Sequence, residues 1–150
     1  MITLAILKKM VEDGVAGLTV DKDFFWEEAP LQKDGKPAQG VWIVTRGGNA
    51  SNNPKGLNLR STVDFYVAFG NKPKTEGVHQ KILEWVLENR YFCYMSGTVG
   101  GTTYKFTNVR IRPATTPENY GATENGLIVK IASADLVYDL AESLNGKDNQ

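Results

Sequence analysis

Cysteine and histidine are almost absent from this chain of 150 residues, which contains one of each, Cys93 and His79. A single cysteine excludes an internal disulfide and is compatible with a reducing compartment. Because a zinc site takes several cysteine or histidine ligands, two such residues in total argue against one. The two could be imagined as a nucleophile and its base, but no third catalytic group is apparent. Cys93 lies among aromatic residues in a predicted strand, so we interpret it as a buried structural thiol.

Excess charge and long apolar runs are also missing. Lysine and arginine total 17, aspartate and glutamate total 17, and the formal net charge is zero. This balance argues against a dedicated nucleic-acid binder, although it leaves room for a local basic patch. No apolar run approaches the ~18 residues of a membrane span. Lys8 and Lys9 follow the apolar start of the chain and no basic segment precedes it, so we expect no secretory signal.

The glycine-containing segment 47–56 is the one place where a phosphate-binding loop could be sought, because it follows a predicted strand. It lacks the glycine, lysine and hydroxyl spacing of the P-loop, and no helix is predicted directly after it. We interpret it as part of a surface loop. We assign no catalytic, cofactor-binding or metal-binding residue, and we expect no cofactor.

The length of the chain predicts a single domain, over residues 1–145, followed by a flexible polar tail at 146–150. The clearest element is 57–69, where apolar and polar residues alternate. This pattern predicts a strand with one side on the core and the other exposed or at a partner. A helical pattern over 75–89 predicts a helix capped by Thr75.

Segment 133–144 is ambiguous, because it has helical spacing but could instead continue a strand as far as Tyr138. In the predicted strand 103–112 the apolar phase changes, which indicates a β-bulge near Thr107 and Asn108. The remaining predicted elements are a helix at 2–13, strands at 18–26, 41–45, 91–95 and 126–132, and loops at 30–40, 46–56, 96–102 and 113–126.

Five basic residues could form a local patch: Arg46, Lys55, Arg60, Arg110 and Arg112. The alternative is that they are scattered solvated charges or ion pairs between subunits, and the zero net charge favours this alternative. We retain Arg46, Lys55, Arg60 and Arg110 as candidate interface residues.

Three segments identify a family resemblance: 40–48 (GVWIVTRGG), 60–67 (RSTVDFYV) and 77–85 (GVHQKILEW). In their sequence and order they resemble the minor capsid and tail terminator proteins of long-tailed bacteriophages. The resemblance implies a tail-terminator-like α+β domain with a mixed or antiparallel sheet flanked by helices. It also implies a homo-oligomeric, usually hexameric, ring that caps the tail tube, ends its polymerisation and meets the head connector.

This resemblance predicts a structural virion protein without enzymatic activity, located at the junction of tail and head. Its expected partners are further copies of itself, the tail tube protein and the connector or neck proteins. DNA would pass through the ring without sequence readout. Three alternatives stay open: a neck or head–tail completion protein at the adjacent ring, a small nucleic-acid-binding α+β domain, and an enzyme of unknown type.

Overall fold

The described part of the chain forms one mixed β-sheet and two α-helices. The computed structural model describes residues 2–26, 38–49, 59–88, 90–114, 121–122 and 126–145. The elements in this part of the chain are α1 (Ile2–Glu12), a short 3-10 helix (Val15–Gly17), β1 (Phe24–Trp26), β2 (Gly40–Asn49), β3 (Leu59–Phe69), α2 (Lys72–Leu87), β4 (Arg90–Val99), β5 (Thr102–Pro113), β6 (Gly121–Ala122) and β7 (Ile128–Asn145).

The strands lie in the order β1-β2-β3-β7-β5-β4, and β6 pairs with β7 beside this series. β1 and β2 are parallel, whereas the other neighbouring pairs are antiparallel. The expected α+β class with a mixed sheet is therefore confirmed. The domain limits stay a prediction, and the tail at 146–150 lies outside the described residues.

The two faces of the sheet are covered differently. Alternate residues of β3, among them Val63, Phe65 and Val67, are fully buried in the main core. Apolar residues of both α1 and α2 join the same core. We call this side the helix-covered face, and we call the opposite side, on which none of the described helices packs, the helix-free face. The predicted alternation of β3 is confirmed over Leu59–Phe69, and residues 57 and 58 lie outside the described residues.

Helix α1 agrees with its prediction to within one residue and ends before Gly14, whose φ of 75° suits glycine. It packs closely on β4: a Cβ atom added to Gly97 would collide with the Ala5 carbonyl oxygen. The Lys8 ammonium donates a hydrogen bond to the Thr98 carbonyl oxygen at 2.7 Å. Neither α1 nor α2, the two described α-helices, is long and apolar enough to cross a membrane.

Helix α2 begins earlier than predicted, because Asn71 caps it instead of Thr75. The Asn71 side-chain oxygen accepts a hydrogen bond from the Lys74 backbone N–H at 2.8 Å. Thr75 is fully buried. Its hydroxyl accepts from the Phe69 N–H at 3.2 Å and donates to the Ile128 carbonyl at 2.9 Å. Thr75 thus joins the end of β3 to the start of β7.

Other boundaries also differ from prediction. The predicted loop at 96–102 is wrong for most of its length, since β4 continues to Val99 and β5 begins at Thr102. β2 continues through Arg46 to Asn49, so the predicted loop at 46–56 is wrong for its first four residues. A register shift between Thr45 and Gly48 marks a bulge, which lets the strand continue through two glycines. The rest of that loop lies outside the described residues, as do most residues of the predicted loops at 30–40 and 113–126. In the predicted strand 18–26, only Phe24–Trp26 is a strand, preceded by an isolated bridge at Val20.

The ambiguous segment 133–144 is a strand. It belongs to β7, which has 18 residues and pairs with β3 on one side and β5 on the other. Leu136 and Tyr138 are buried in the core, while Val137 between them is half-buried on the helix-free face. The predicted bulge in β5 is confirmed by a register shift against β7 between Thr107 and Arg110.

Candidate interaction surface on the sheet

The helix-free face is apolar at one end. A second buried cluster there is formed by Ala68, Leu127, Val129 and Ile131, with Trp42 and Tyr66 packed against it. The rings of Trp42 and Tyr66 stack with their centroids 5.6 Å apart. The side chains at this end pack against one another, so we assign them a role in stabilising the fold.

Two hydroxyl–carboxylate hydrogen bonds occupy the middle of the same face. Ser133 donates to Asp64 at 2.6 Å, and this pair is buried. Thr62 donates to Asp135 at 2.6 Å in a partly buried position. Both carboxylates are thereby held by neutral donors of neighbouring strands.

The far end of the helix-free face is exposed and basic. Arg60 of β3 and Arg110 of β5 are both in register with Val137 of β7. We call these three residues the arginine row. Because neighbouring strands lie ~4.8 Å apart, the two arginine Cα atoms are separated by about 10 Å. Both arginines are exposed.

The next strand continues the row with an aromatic residue. Tyr91 of β4 is in register with Arg110, whose guanidinium carbon lies 5.9 Å from the centre of the tyrosine ring. The Tyr91 hydroxyl donates to the Asn108 side-chain oxygen at 2.8 Å, and the Asn108 amide donates to Asp139 at 3.1 Å. Asn108 has a φ of 52°, which places it in the left-handed conformation at the bulge.

The charges of the arginine row are not neutralised by ion pairs with the described residues. Among the described side chains, the salt bridges involve Lys9, Lys72 and Arg90, and not Arg60 or Arg110. A guanidinium presents a planar set of N–H donors that suits carboxylate and phosphate groups. The arginine row can therefore bind an anionic group of a partner.

The structure brings together two of the four candidate interface residues, Arg60 and Arg110. The backbone of Arg46 lies at the bulge of β2, next to β3, but its side chain is outside the description. Lys55 lies outside the described residues. Arg112 is exposed on the helix-free face and is in register with Asp135.

The interpretation of Cys93 as a buried thiol is wrong, because Cys93 is exposed. It lies on β4, an edge strand of the sheet, where Tyr91 and Tyr94 are exposed as well. Aromatic neighbours in the sequence did not imply burial, because two of these neighbours are themselves exposed on this edge strand.

His79 is buried on α2, and its Nε2 lies 3.1 Å from the Ile131 carbonyl oxygen. A carbonyl only accepts, so this nitrogen carries the proton in the hydrogen bond. Burial lowers the pKa of His79, and a weaker lowering comes from Lys130. The hydrogen bond to Ile131 and the charge of Glu76 act in the opposite direction. The His79 side chain therefore links α2 to β7 and has a structural role.

Sequence reasoning missed Val137 and Tyr91, which complete the basic surface. Val137 lay in the ambiguous segment, and its position between two arginines depends on strand pairing across distant parts of the chain. Within the described residues no group of three or more histidine, cysteine, aspartate or glutamate side chains is arranged to hold a metal ion. Neither a family model nor a curated protein was found to match the chain.

Proposed function

We propose that this protein is a structural component of a phage virion, the tail terminator that forms a ring on the end of the tail tube. The arginine row is the observation that carries the proposal. It is an exposed basic surface on the helix-free face, and its two cations have no ion-pair partner among the described side chains. A surface of this kind is suited to contact with another macromolecule.

The three segments that resemble tail terminator proteins support the proposal. They fall on β2, β3 and α2, which are neighbours in the structure: β2 pairs with β3, and α2 packs on β3. The second segment carries Arg60 itself. The resemblance is thus concentrated on one contiguous part of the fold.

The proposed mechanism is geometric. Subunits join through two different surfaces and close into a hexameric ring. One side of the ring matches the last ring of the tube protein, and the other side meets the head connector and does not accept another tube ring. Polymerisation of the tube then stops, and DNA passes through the lumen without sequence readout. A neck protein at the adjacent ring would use the same principle with other neighbours.

The direct test is native mass spectrometry of the purified chain, alone and mixed with the tail tube protein of the same phage. A hexameric ring, free or dependent on the tube protein, together with shorter tubes in its presence is the expected result. A monomer in both samples, with tube length unchanged, would contradict the proposal.

A second candidate function, binding of a nucleic-acid backbone, is favoured by the stacking of Arg110 on Tyr91 next to Arg60. Phosphate contacts by arginine make affinity depend steeply on salt concentration. A DNA-binding assay over a salt titration separates the two functions. Tight binding by the monomer that Arg60→Ala weakens would support the second candidate, and the absence of binding would exclude it.

A further inference from the structure

The C-terminal end of α2 carries charges that do not stabilise the helix. Glu84 lies in the last turn and Glu88 is the C-cap residue, while the last turn contains no basic residue. The C-terminus of a helix is the negative end of its dipole and favours cations. These two acids are therefore placed where the helix itself gains nothing from them.

Contacts within the chain account for only part of this arrangement. Gln80 donates to Glu84 at 3.3 Å, a hydrogen bond without a cation. Arg90 pairs with Glu88 at 2.8 Å, but the Glu88 side chain is 62% exposed and remains accessible. Beside these acids on the same helix end is Leu87, which is 51% exposed and is one of three exposed large hydrophobic residues in the described part of the chain. An exposed leucine beside two acids is typical of a contact surface.

The arginine row has the complementary pattern on the other side of the molecule. There an apolar residue, Val137, lies between two cations, Arg60 and Arg110. Helix α2 packs on the helix-covered face, whereas the arginine row lies on the helix-free face. Among the described side chains, no ion pair joins Glu84 or Glu88 to the arginine row within one subunit.

We propose that the C-terminal end of α2 in one subunit docks on the arginine row of the next copy of this chain. Glu84 and Glu88 pair with Arg60 and Arg110, and Leu87 covers Val137. Because the two surfaces differ, the contact is heterologous, which is the type that can close into a ring. The inference rests on the proposed ring and names the surfaces that hold it together.

Charge reversal on each side tests the contact. Arg60→Glu/Arg110→Glu reverses the basic surface, and Glu84→Lys/Glu88→Lys reverses the acidic one. We expect each double variant to weaken subunit association at least tenfold, measured by sedimentation velocity under the conditions in which the wild type assembles. The quadruple variant restores opposite charges across the contact, so its association should recover to within a few fold of wild type.

A matched control for Arg60→Glu/Arg110→Glu is Lys22→Glu/Lys72→Glu, which makes the same change in net charge at exposed positions outside both surfaces. It should assemble as the wild type does. Circular dichroism and thermal unfolding establish that every variant is folded. Normal assembly of both double variants, or a quadruple variant that stays dissociated although folded, would overturn the proposed contact while the ring itself stands. A wild type that never assembles, alone or on tube protein, would overturn the ring and the contact together.

Discussion

The helix-covered and helix-free faces are built from the same strands, yet their side chains serve different ends. On the helix-covered face, the alternate residues of β3 are buried under two helices. On the helix-free face, the same strand passes from Tyr66 in an apolar cluster, through the buried Asp64, to the exposed Arg60. Core packing explains the residue types on the helix-covered face. On the helix-free face it explains only the apolar end. The comparison indicates that side chains available for binding a partner are best sought on the helix-free face, where packing does not account for every residue.

The largest effect on stability is expected on the helix-covered face. Phe65 is fully buried in the main core, and Phe65→Ala should lower the free energy of unfolding by about 3–5 kcal/mol, because it removes apolar contacts and leaves a cavity. Urea unfolding monitored by circular dichroism measures the change. A loss below about 1 kcal/mol would show that this face is less closely packed than described.

A glycine pair tests how tightly α1 fits the sheet. At Gly97 an added methyl group collides with the Ala5 carbonyl oxygen, whereas at Gly77 of α2 it meets open space. Gly97→Ala should cost about 1–3 kcal/mol because backbone must move. Gly77→Ala, its control, should stabilise by about 0.5–1 kcal/mol because alanine favours the helix. Equal effects of the two substitutions would contradict the close packing of α1 on β4.

The helix-free face is expected to contribute through hydrogen bonds. Ser133→Ala removes the buried donor to Asp64, and we expect a loss of about 1–3 kcal/mol. Thr62→Val removes a similar bond to the half-buried Asp135, where water can replace the donor. This control should cost less than about 1 kcal/mol. If Thr62→Val lowered the stability more than Ser133→Ala, burial would not determine how much these hydrogen bonds contribute.

A smaller effect is expected in the pH dependence of stability. The folded-state pKa of His79 is lowered by burial, so below about pH 6.5 the unfolded chain binds a proton more readily than the folded one. Stability should be fully present above this pH and decline as the pH falls through the lowered pKa. His79→Gln should flatten this part of the profile in unfolding experiments between pH 5 and 8. If the unfolding free energy of His79→Gln depended on pH as steeply as that of the wild type, the loss of stability in acid would belong to other titratable groups.

The parts of the fold that could be predicted are those with one clear period. β3 alternates and α2 follows helical spacing, and each is present close to its expected limits. The end of β7 could not be assigned, because Leu136, Leu140 and Leu144 are four residues apart, a spacing that fits one side of a strand as well as one side of a helix. Pairing on both sides decides for the strand.

The candidate surface shows a similar limit. Arg60 and Arg110 could be named from the sequence, but their alignment through Val137 depends on the register of three strands that are far apart in the chain. The prediction that Cys93 is buried was wrong because its aromatic neighbours Tyr91 and Tyr94 are themselves exposed on an edge strand.

The central claim is that the arginine row serves association and not folding. The most direct measurement compares Arg60→Ala/Arg110→Ala with the wild type in two experiments, urea unfolding and sedimentation velocity. Both side chains are exposed and have no ion-pair partner among the described side chains. The account therefore predicts an unfolding free energy unchanged within about 0.5 kcal/mol and a marked loss of subunit association. Unimpaired association, or a loss of stability comparable to a core substitution, would contradict it.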